Sequence, residues 1–211
     1  MVGSMTTRAP KRPSAKKKPA YHHGDLRNAL LSVARQRLEQ DGLEALTLRG
    51  LAKSAGVSHA APAHHFADRQ GLLWALVAAG YRQLTEAMRS ASLGAGTPQQ
   101  ALDAIGVAYV RFAVEHPQLF RLMFQETSRR AAPTTEVVSA ACDCQNVLAE
   151  TMSRVTSQPA GADLSPTALM AWAGVHGLAT LWIDGQLRGM FPGRGGKAAF
   201  LNAVATLLCP G

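Results

Sequence analysis

The sequence predicts an all-α chain of about nine helices, and three observations carry that prediction. From Asp25 onward, apolar residues recur at three- and four-residue spacing (Leu26, Ala29, Leu30, Val33, Ala34, Leu38), as they do on one buried face of a helix. Breaks rich in proline or glycine punctuate such stretches, at Gly94-Ala95-Gly96-Thr97-Pro98, Pro117, Pro133 and Pro159. No segment alternates apolar and polar residues with period two for long enough to make a strand.

The helices follow in order. The first opens at Asp25, whose carboxylate is suited to cap it, and closes at Gly42 as a left-handed cap. Leu43 to Leu46 is a short connection. Thr47 caps a short helix over Leu48 to Ala55. Gly56-Val57-Ser58 makes a tight turn, and Ser58 caps a further helix from His59 to Phe66. Pro62 falls in its first turn, where most backbone N–H groups lack helical partners anyway. Asp68 caps a long helix running to about Ala91, with Leu72, Leu73, Leu76, Val77, Tyr81, Leu84 and Met88 on its apolar positions. Helical spacing then covers about Gln99 to Glu115, Pro117 to Ser128, Thr134 to Ser157, Pro166 to Arg188 and Lys197 to Leu208. Ser165 followed by Pro166 is a capping hydroxyl before a proline at the first helical position.

The 211 residues allow one compact domain or two small ones sharing a core. Only 17% are charged, which suggests apolar surface covered by another subunit. Residues 1–69 hold 12 Lys and Arg against 5 Asp and Glu, a net of +7 out of the chain's +8. A localised excess of this kind is the electrostatic footprint of polyanion binding, although from charge alone a solubilising tail explains it equally well. Residues 1–20 carry six cations, three prolines and no acid, which reads as a disordered basic arm. The three cysteines, Cys142, Cys144 and Cys209, are too few and too odd in number for a disulfide framework and fit a reducing compartment. There is no signal peptide pattern, and the uncharged apolar stretch from roughly Ala168 to Ile183 is too short to span a bilayer comfortably. A soluble, cytoplasmic protein with no membrane partner is expected.

The densest motif is Leu43-Glu44-Ala45-Leu46-Thr47-Leu48-Arg49-Gly50-Leu51-Ala52-Lys53-Ser54-Ala55-Gly56-Val57-Ser58. It reads as connection, helix and glycine turn, leading into the next helix. Gly56 tolerates the positive φ of a sharp turn, small Ala52 permits close helix crossing, and Leu48, Leu51 and Val57 supply the core between. A helix held in this way can enter a DNA major groove while its predecessor crosses the backbone.

Residues 21–77, with Tyr-His-His-Gly-Asp-Leu-Arg, Thr-Leu-Arg, Ala-Gly-Val-Ser and His-Phe-Ala-Asp-Arg-Gln-Gly-Leu-Leu in order, resemble the DNA-binding domain of the TetR family of transcriptional regulators. Further on, residues 115–124 (Glu-His-Pro-Gln-Leu-Phe-Arg-Leu-Met-Phe) and Trp172-Ala173-Gly174-Val175-His176-Gly177-Leu178 are similar to a subgroup whose regulatory domain carries Trp-x-x-x-His-Gly. The resemblance implies three parts: the arm (1–20), a helix-turn-helix DNA-binding domain (21–70), and a helical regulatory and dimerisation domain (71–211). It implies double-stranded operator DNA as partner and release by a small ligand; a regulator without an inducer, or an activator, is the alternative. Two positions depart from the family. Gly50 stands where an acid often completes a capping box, at a helix-propensity cost of about 1 kcal/mol. Ala63 stands where a tyrosine usually touches the DNA backbone.

The resemblance implies that Ser58, His59, Ala60, Ala61 and His64 read bases or contact backbone. Thr47, at a helix N-terminus, and Arg69 are the expected phosphate contacts, supplemented by Lys16, Lys17 and Lys18 of the arm. Trp172 and His176 share a helical face and line a ligand pocket, pack at the dimer interface, or belong to the core. Tyr81, Phe112, Phe120, Met123, Phe124 and Cys142 are candidate apolar walls, for a ligand that is apolar or aromatic. The small residues Ala173, Gly174, Gly177 and Ala179, next to an apolar final helix (Phe200, Ala203, Val204, Leu207, Leu208), suit a homodimer through the last two helices. No metal or cofactor site is expected. His22 and His23 lack partners at ligand spacing, and no nucleophile elbow, phosphate loop or carboxylate pair marks an enzyme.

Overall fold

The computed structural model describes residues 23–126, 132–159 and 164–209, with no strand among them. The basic arm, including Lys16, Lys17 and Lys18, lies outside the described residues. The described residues form eight α-helices: α1 (His23–Asp41), α2 (Leu48–Ala55), α3 (Arg69–Ser92), α4 (Pro98–Glu115), α5 (Pro117–Arg121), α6 (Thr135–Thr156), α7 (Pro166–Ile183) and α8 (Gly196–Leu208). Short 3-10 turns at Leu43–Ala45 and Ala61–His64 and a wide turn at Leu122–Glu126 complete the regular structure.

Several helix starts obey their capping residues. Thr47 Oγ1 accepts from the Gly50 N–H, Asp68 Oδ1 from Gly71, Thr97 Oγ1 from Gln100, and Ser165 Oγ from Ala168. Each satisfies a first-turn donor that has no partner inside the helix, typically contributing about 1 kcal/mol. Gly56 lies at φ 65°, ψ 32°, the left-handed conformation its turn requires.

Other local expectations are corrected. Helix α1 begins at His23, so Asp25 lies within the helix and not at the position before it. Gly42 has φ 80° but ψ 178°, which is outside the left-handed helical region yet still open to glycine. The helix expected over His59 to Phe66 is a single 3-10 turn preceded by bends, and Ser58 contributes its carbonyl, not its hydroxyl, by accepting from Ala61. Pro62 is the physical reason: it removes a donor from a short segment, and bonds over three residues (Ala63 to Ala60, His65 to Pro62) are joined by a single one over four, from Phe66 to Pro62. Helix α7 stops at Ile183 because the chain turns at Gly185, φ 82°.

Helix α3 is the spine. Its N-terminal half packs against α1, and its length packs on α4 and α6, while α4 is covered in turn by α7 and α8. The main core runs without interruption from Leu30, Leu38 and Leu51 through Leu72, Leu76 and Leu84 to Ile105, Phe120 and Val147. A second cluster joins Val110 and Val114 of α4 to Phe200 and Val204 of α8. There Trp182 stacks on Phe200 with centroids 4.4 Å apart and planes 7° from parallel.

Candidate nucleic-acid interface and ligand cavity

Helices α1 and α2 and the 3-10 turn form a compact unit on the N-terminal end of α3. Leu46, Leu51, Ala52 and Phe66 are buried between them. Thr47, Ser58, His59, Ala60 and His64 are exposed and Ala61 is half-buried, so the expected DNA-facing residues emerge from the turn and the start of α2. Ala63 is exposed as well.

Arg69 has work inside the protein. Its Nε donates to the Leu46 carbonyl and a terminal nitrogen to that of Leu43, both at 2.8 Å, with Glu44 at 4.0 Å. It thereby fastens the turn before α2 to the start of α3. Gly50 likewise has a packing reason. A Cβ there would lie 2.9 Å from Arg37 Nη1 and from Thr47 Oγ1. Its missing side chain makes room for the Arg37 guanidinium, which also bonds Asp41 and Ser54.

A cavity of about 360 Å³ opens between α3, α4, α6 and α7. Of the expected ligand-binding residues, Tyr81, Phe124 and Trp172 line it. His176 stands behind the wall, joined to it through Tyr109. Phe112, Phe120 and Met123 are not on the wall; they are buried core. Cys142 is exposed, and Cys144, two residues on, takes the lining position. Two residues along a helix turn the side chain by about 200°, so only one of the pair can face inward.

Tyr109 had no part in the sequence-based set, yet it organises the cavity's polar end. Its hydroxyl accepts from Trp172 Nε1 at 3.2 Å and pairs with His176 Nδ1 at 2.8 Å. Its ring meets Phe120 edge-on at 5.7 Å. The signal in the sequence was its place on the buried face of α4, four residues after Ile105. Burial raises the Tyr109 phenol far above its ordinary range, raises Tyr81 to about 12 and Cys144 to about 11, and lowers His176. All four are therefore neutral near pH 7. Gln99, Asp103 and Gln145 are the other polar lining residues, and Gln99 Nε2 donates to Asp103 Oδ1 at 2.8 Å.

Polar contacts of two carboxylates help tie the N-terminal unit to the bundle around the cavity. Glu136 on α6 bonds Arg82 of α3 at 2.7 Å and Arg27 of α1 at 3.4 Å. The bond to Arg82, with Arg27 adding to it, holds the Glu136 carboxyl below its usual range. Glu39 on α1 accepts from the backbone N–H groups of Gln118 and Leu119 at 3.1 and 3.0 Å.

An exposed segment behind a glycine turn, fixed to a hollow helical bundle, defines a helix-turn-helix protein with a separate cavity. The family described as "Bacterial regulatory proteins, tetR family" matches residues 30–76, and "Tetracyclin repressor-like, C-terminal domain" matches residues 102–207. A Rhodococcus sp. RHA1 protein of unknown function is 35% identical, over 90% of this chain and 97% of its own, with TM-score 0.71. The TetR-family regulator PfmR of Thermus thermophilus is 21% identical over 85% and 96%, TM-score 0.59. FadR of Bacillus subtilis, solved with stearoyl-CoA, is 16% identical over 86% and 96%, TM-score 0.64; at these identities the likeness is one of fold. No curated protein matches the chain. The chain belongs to the TetR family of transcriptional regulators.

Proposed function

We propose that this regulator is a cytoplasmic repressor that binds operator DNA as a homodimer and is released when a small, mainly apolar ligand fills the cavity. The observation that carries this reading is the continuity of α3. Its first residue, Arg69, braces the helix-turn-helix, and Tyr81 and Met88 further along it line the cavity. A ligand that rotates or tilts α3 therefore moves the DNA-facing segment. A dimer must hold its two reading segments about 34–36 Å apart, or a multiple, to enter successive major grooves. The division between DNA-binding and regulatory parts, in this reading, falls near residue 70 within the first turn of α3.

In the DNA complex, Thr47 and the first turn of α2 meet phosphate, and Ser58, His59, Ala60, Ala61 and His64 face the groove. Arg69 positions the turn and reaches phosphate only at the rim, and Lys16, Lys17 and Lys18 add backbone contacts. On the regulatory side, Met170, Ala173 and Gly174 of α7 and Ala203 and Leu207 of α8 are exposed, and a Cβ at Gly174 or Gly177 would meet nothing within 4 Å. This small, apolar surface suits a second copy of the same two helices. AibR, of the same fold (TM-score 0.62), has been solved with isovaleryl coenzyme A and operator DNA together, which supports one fold serving both ligands.

Selection from random duplexes followed by mobility shift tests the proposal. A half-repeat duplex is expected, with affinity falling steeply with salt. Replacing His59 and His64 by Ala should weaken the selected duplex by about 1–3 kcal/mol for each side chain that reads a base. A chain that selects no duplex, or binds all equally, overturns the reading.

A further inference from the structure

We propose that the cavity selects an uncharged, mainly apolar molecule carrying one hydroxyl group, and rejects carboxylates and coenzyme A esters. This rests on the reading of the cavity as an effector site and goes beyond it to the ligand's chemistry.

Size comes first. A cavity of about 150 Å³ holds benzene, so the roughly 360 Å³ here suits about 14 non-hydrogen atoms, scaled from that case. Most of the wall is apolar: Met88, Leu102, Ile105, Leu148, Val175 and Leu208 are typical.

Charge comes next. No Lys or Arg lines the cavity among the described residues, and the acidic residue on its wall is Asp103. An anion entering would lose its water with no cation in exchange, and burying an unpaired carboxylate is strongly unfavourable. His176 offers no counter-charge, because burial keeps the imidazole neutral.

The polar end then sets the functional group. A hydroxyl has one donor and two acceptor positions. Two of these three on Tyr109 are taken by Trp172 and His176. One remains, a donor or an acceptor according to the imidazole tautomer. Tyr81, also on the wall, has its ring edge-on to Phe124 at 5.7 Å, and its hydroxyl has no hydrogen-bond partner among the described residues. Both phenols line the same cavity. A ligand hydroxyl both donates and accepts, so it can bond the Tyr81 hydroxyl, or the open position on Tyr109 in either tautomer. A carboxylate can only accept.

Four probes with one hydrocarbon body test this by calorimetry on the full chain: biphenyl, 4-hydroxybiphenyl, biphenyl-4-carboxylate and 4-(aminomethyl)biphenyl. The hydroxyl compound should bind about fivefold tighter than biphenyl, the ratio for one net hydrogen bond. The carboxylate should bind at least about tenfold weaker than biphenyl, as an unpaired buried charge requires. Tyr81→Phe should erase the preference for hydroxyl over hydrocarbon and leave biphenyl binding intact. Tighter binding of the carboxylate or of the ammonium compound overturns the ligand class but not the effector site. A hydroxyl preference that survives both Tyr81→Phe and Tyr109→Phe overturns the assignment to this end of the cavity. Failure of all four probes to bind a folded chain overturns the effector reading itself.

Discussion

Burial of individual side chains sets a pH dependence that is readable at the residue scale. His176 and His116 both lie below their ordinary value near 6.5, in each case chiefly because burial disfavours the imidazolium, with Arg35 adding to the effect at His116. The folded form then binds fewer protons than the unfolded chain just below pH 6.5, so unfolding takes up protons there and acid destabilises the fold. Stability should be flat from about pH 7 to 8 and fall as pH drops below about 6.5. Replacing His176 by Asn, which keeps a side chain able to bond the Tyr109 hydroxyl, should flatten part of that fall in chemical denaturation compared on either side of about pH 6.5. An unchanged slope would show that His176 is as accessible to protons folded as unfolded. The same residue shows what the sequence could carry. Trp172 and His176 at four-residue spacing announced a shared face, and the structure places them 5.5 Å apart, ring to ring. Their common partner Tyr109 lies 63 and 67 residues away in sequence, so nothing in local spacing pairs them. Cys142 and Cys144 illustrate the same limit: which of two neighbouring helix positions faces inward depends on how α6 is rotated against α3.

At the scale of elements, α1 is held to the regulatory bundle by a cap supplied from outside. Glu39 occupies the two N–H groups at the start of α5, where the preceding residue, His116, offers no side-chain cap. Replacing Glu39 by Ala leaves both donors without that carboxylate, at about 1–3 kcal/mol. For a chain of this length, each kcal/mol lowers Tm by roughly 2–4 °C, which a thermal melt resolves; an unchanged Tm would mean that water replaces the carboxylate without loss. Three helix starts were legible, because Thr47, Asp68 and Ser165 are capping residues in sequence and in space. The segment around Pro62 was misjudged as a helix, since the periodic pattern is too short there to outweigh the missing donor. At Gly50 the structure adds that a Cβ would lie 2.9 Å from the end of the Arg37 side chain, a contact that local spacing does not announce. A further expectation concerns α7. In the single chain, a Cβ at Gly177 would meet nothing within 4 Å, so Gly177→Leu should leave the monomer fold intact and weaken self-association. Sedimentation at micromolar concentration should show a shift toward monomer with unchanged circular dichroism. A variant as dimeric as the parent would remove Gly177 from the interface.

Among the described residues the main core runs along one long helix, α3, from the helix-turn-helix to the cavity, and the proposed regulation follows from that arrangement. Packed interiors resist gradual deformation, so in the proposed regulation a ligand wedged between α3, α4, α6 and α7 would shift rigid helices. Glu136 of α6 bridges to Arg27 of α1 and Arg82 of α3, and under that proposal the bridge would couple such a shift to both. A ligand acts this way only by binding the DNA-incompetent arrangement more tightly, and the coupling is reciprocal. The all-helical class and the DNA-binding motif were legible because both are local patterns. The cavity was not, because its walls come from several helices far apart in sequence and from the wide turn at Leu122–Glu126. The most direct test is anisotropy titration of the selected operator with and without a saturating compound, chosen as the uncharged arene giving the largest thermal shift. Operator binding should be about 5–150-fold weaker with the compound, the typical range of allosteric coupling, and compound binding should weaken by the same factor on operator. Unchanged operator affinity with the compound demonstrably bound would contradict the proposed regulation.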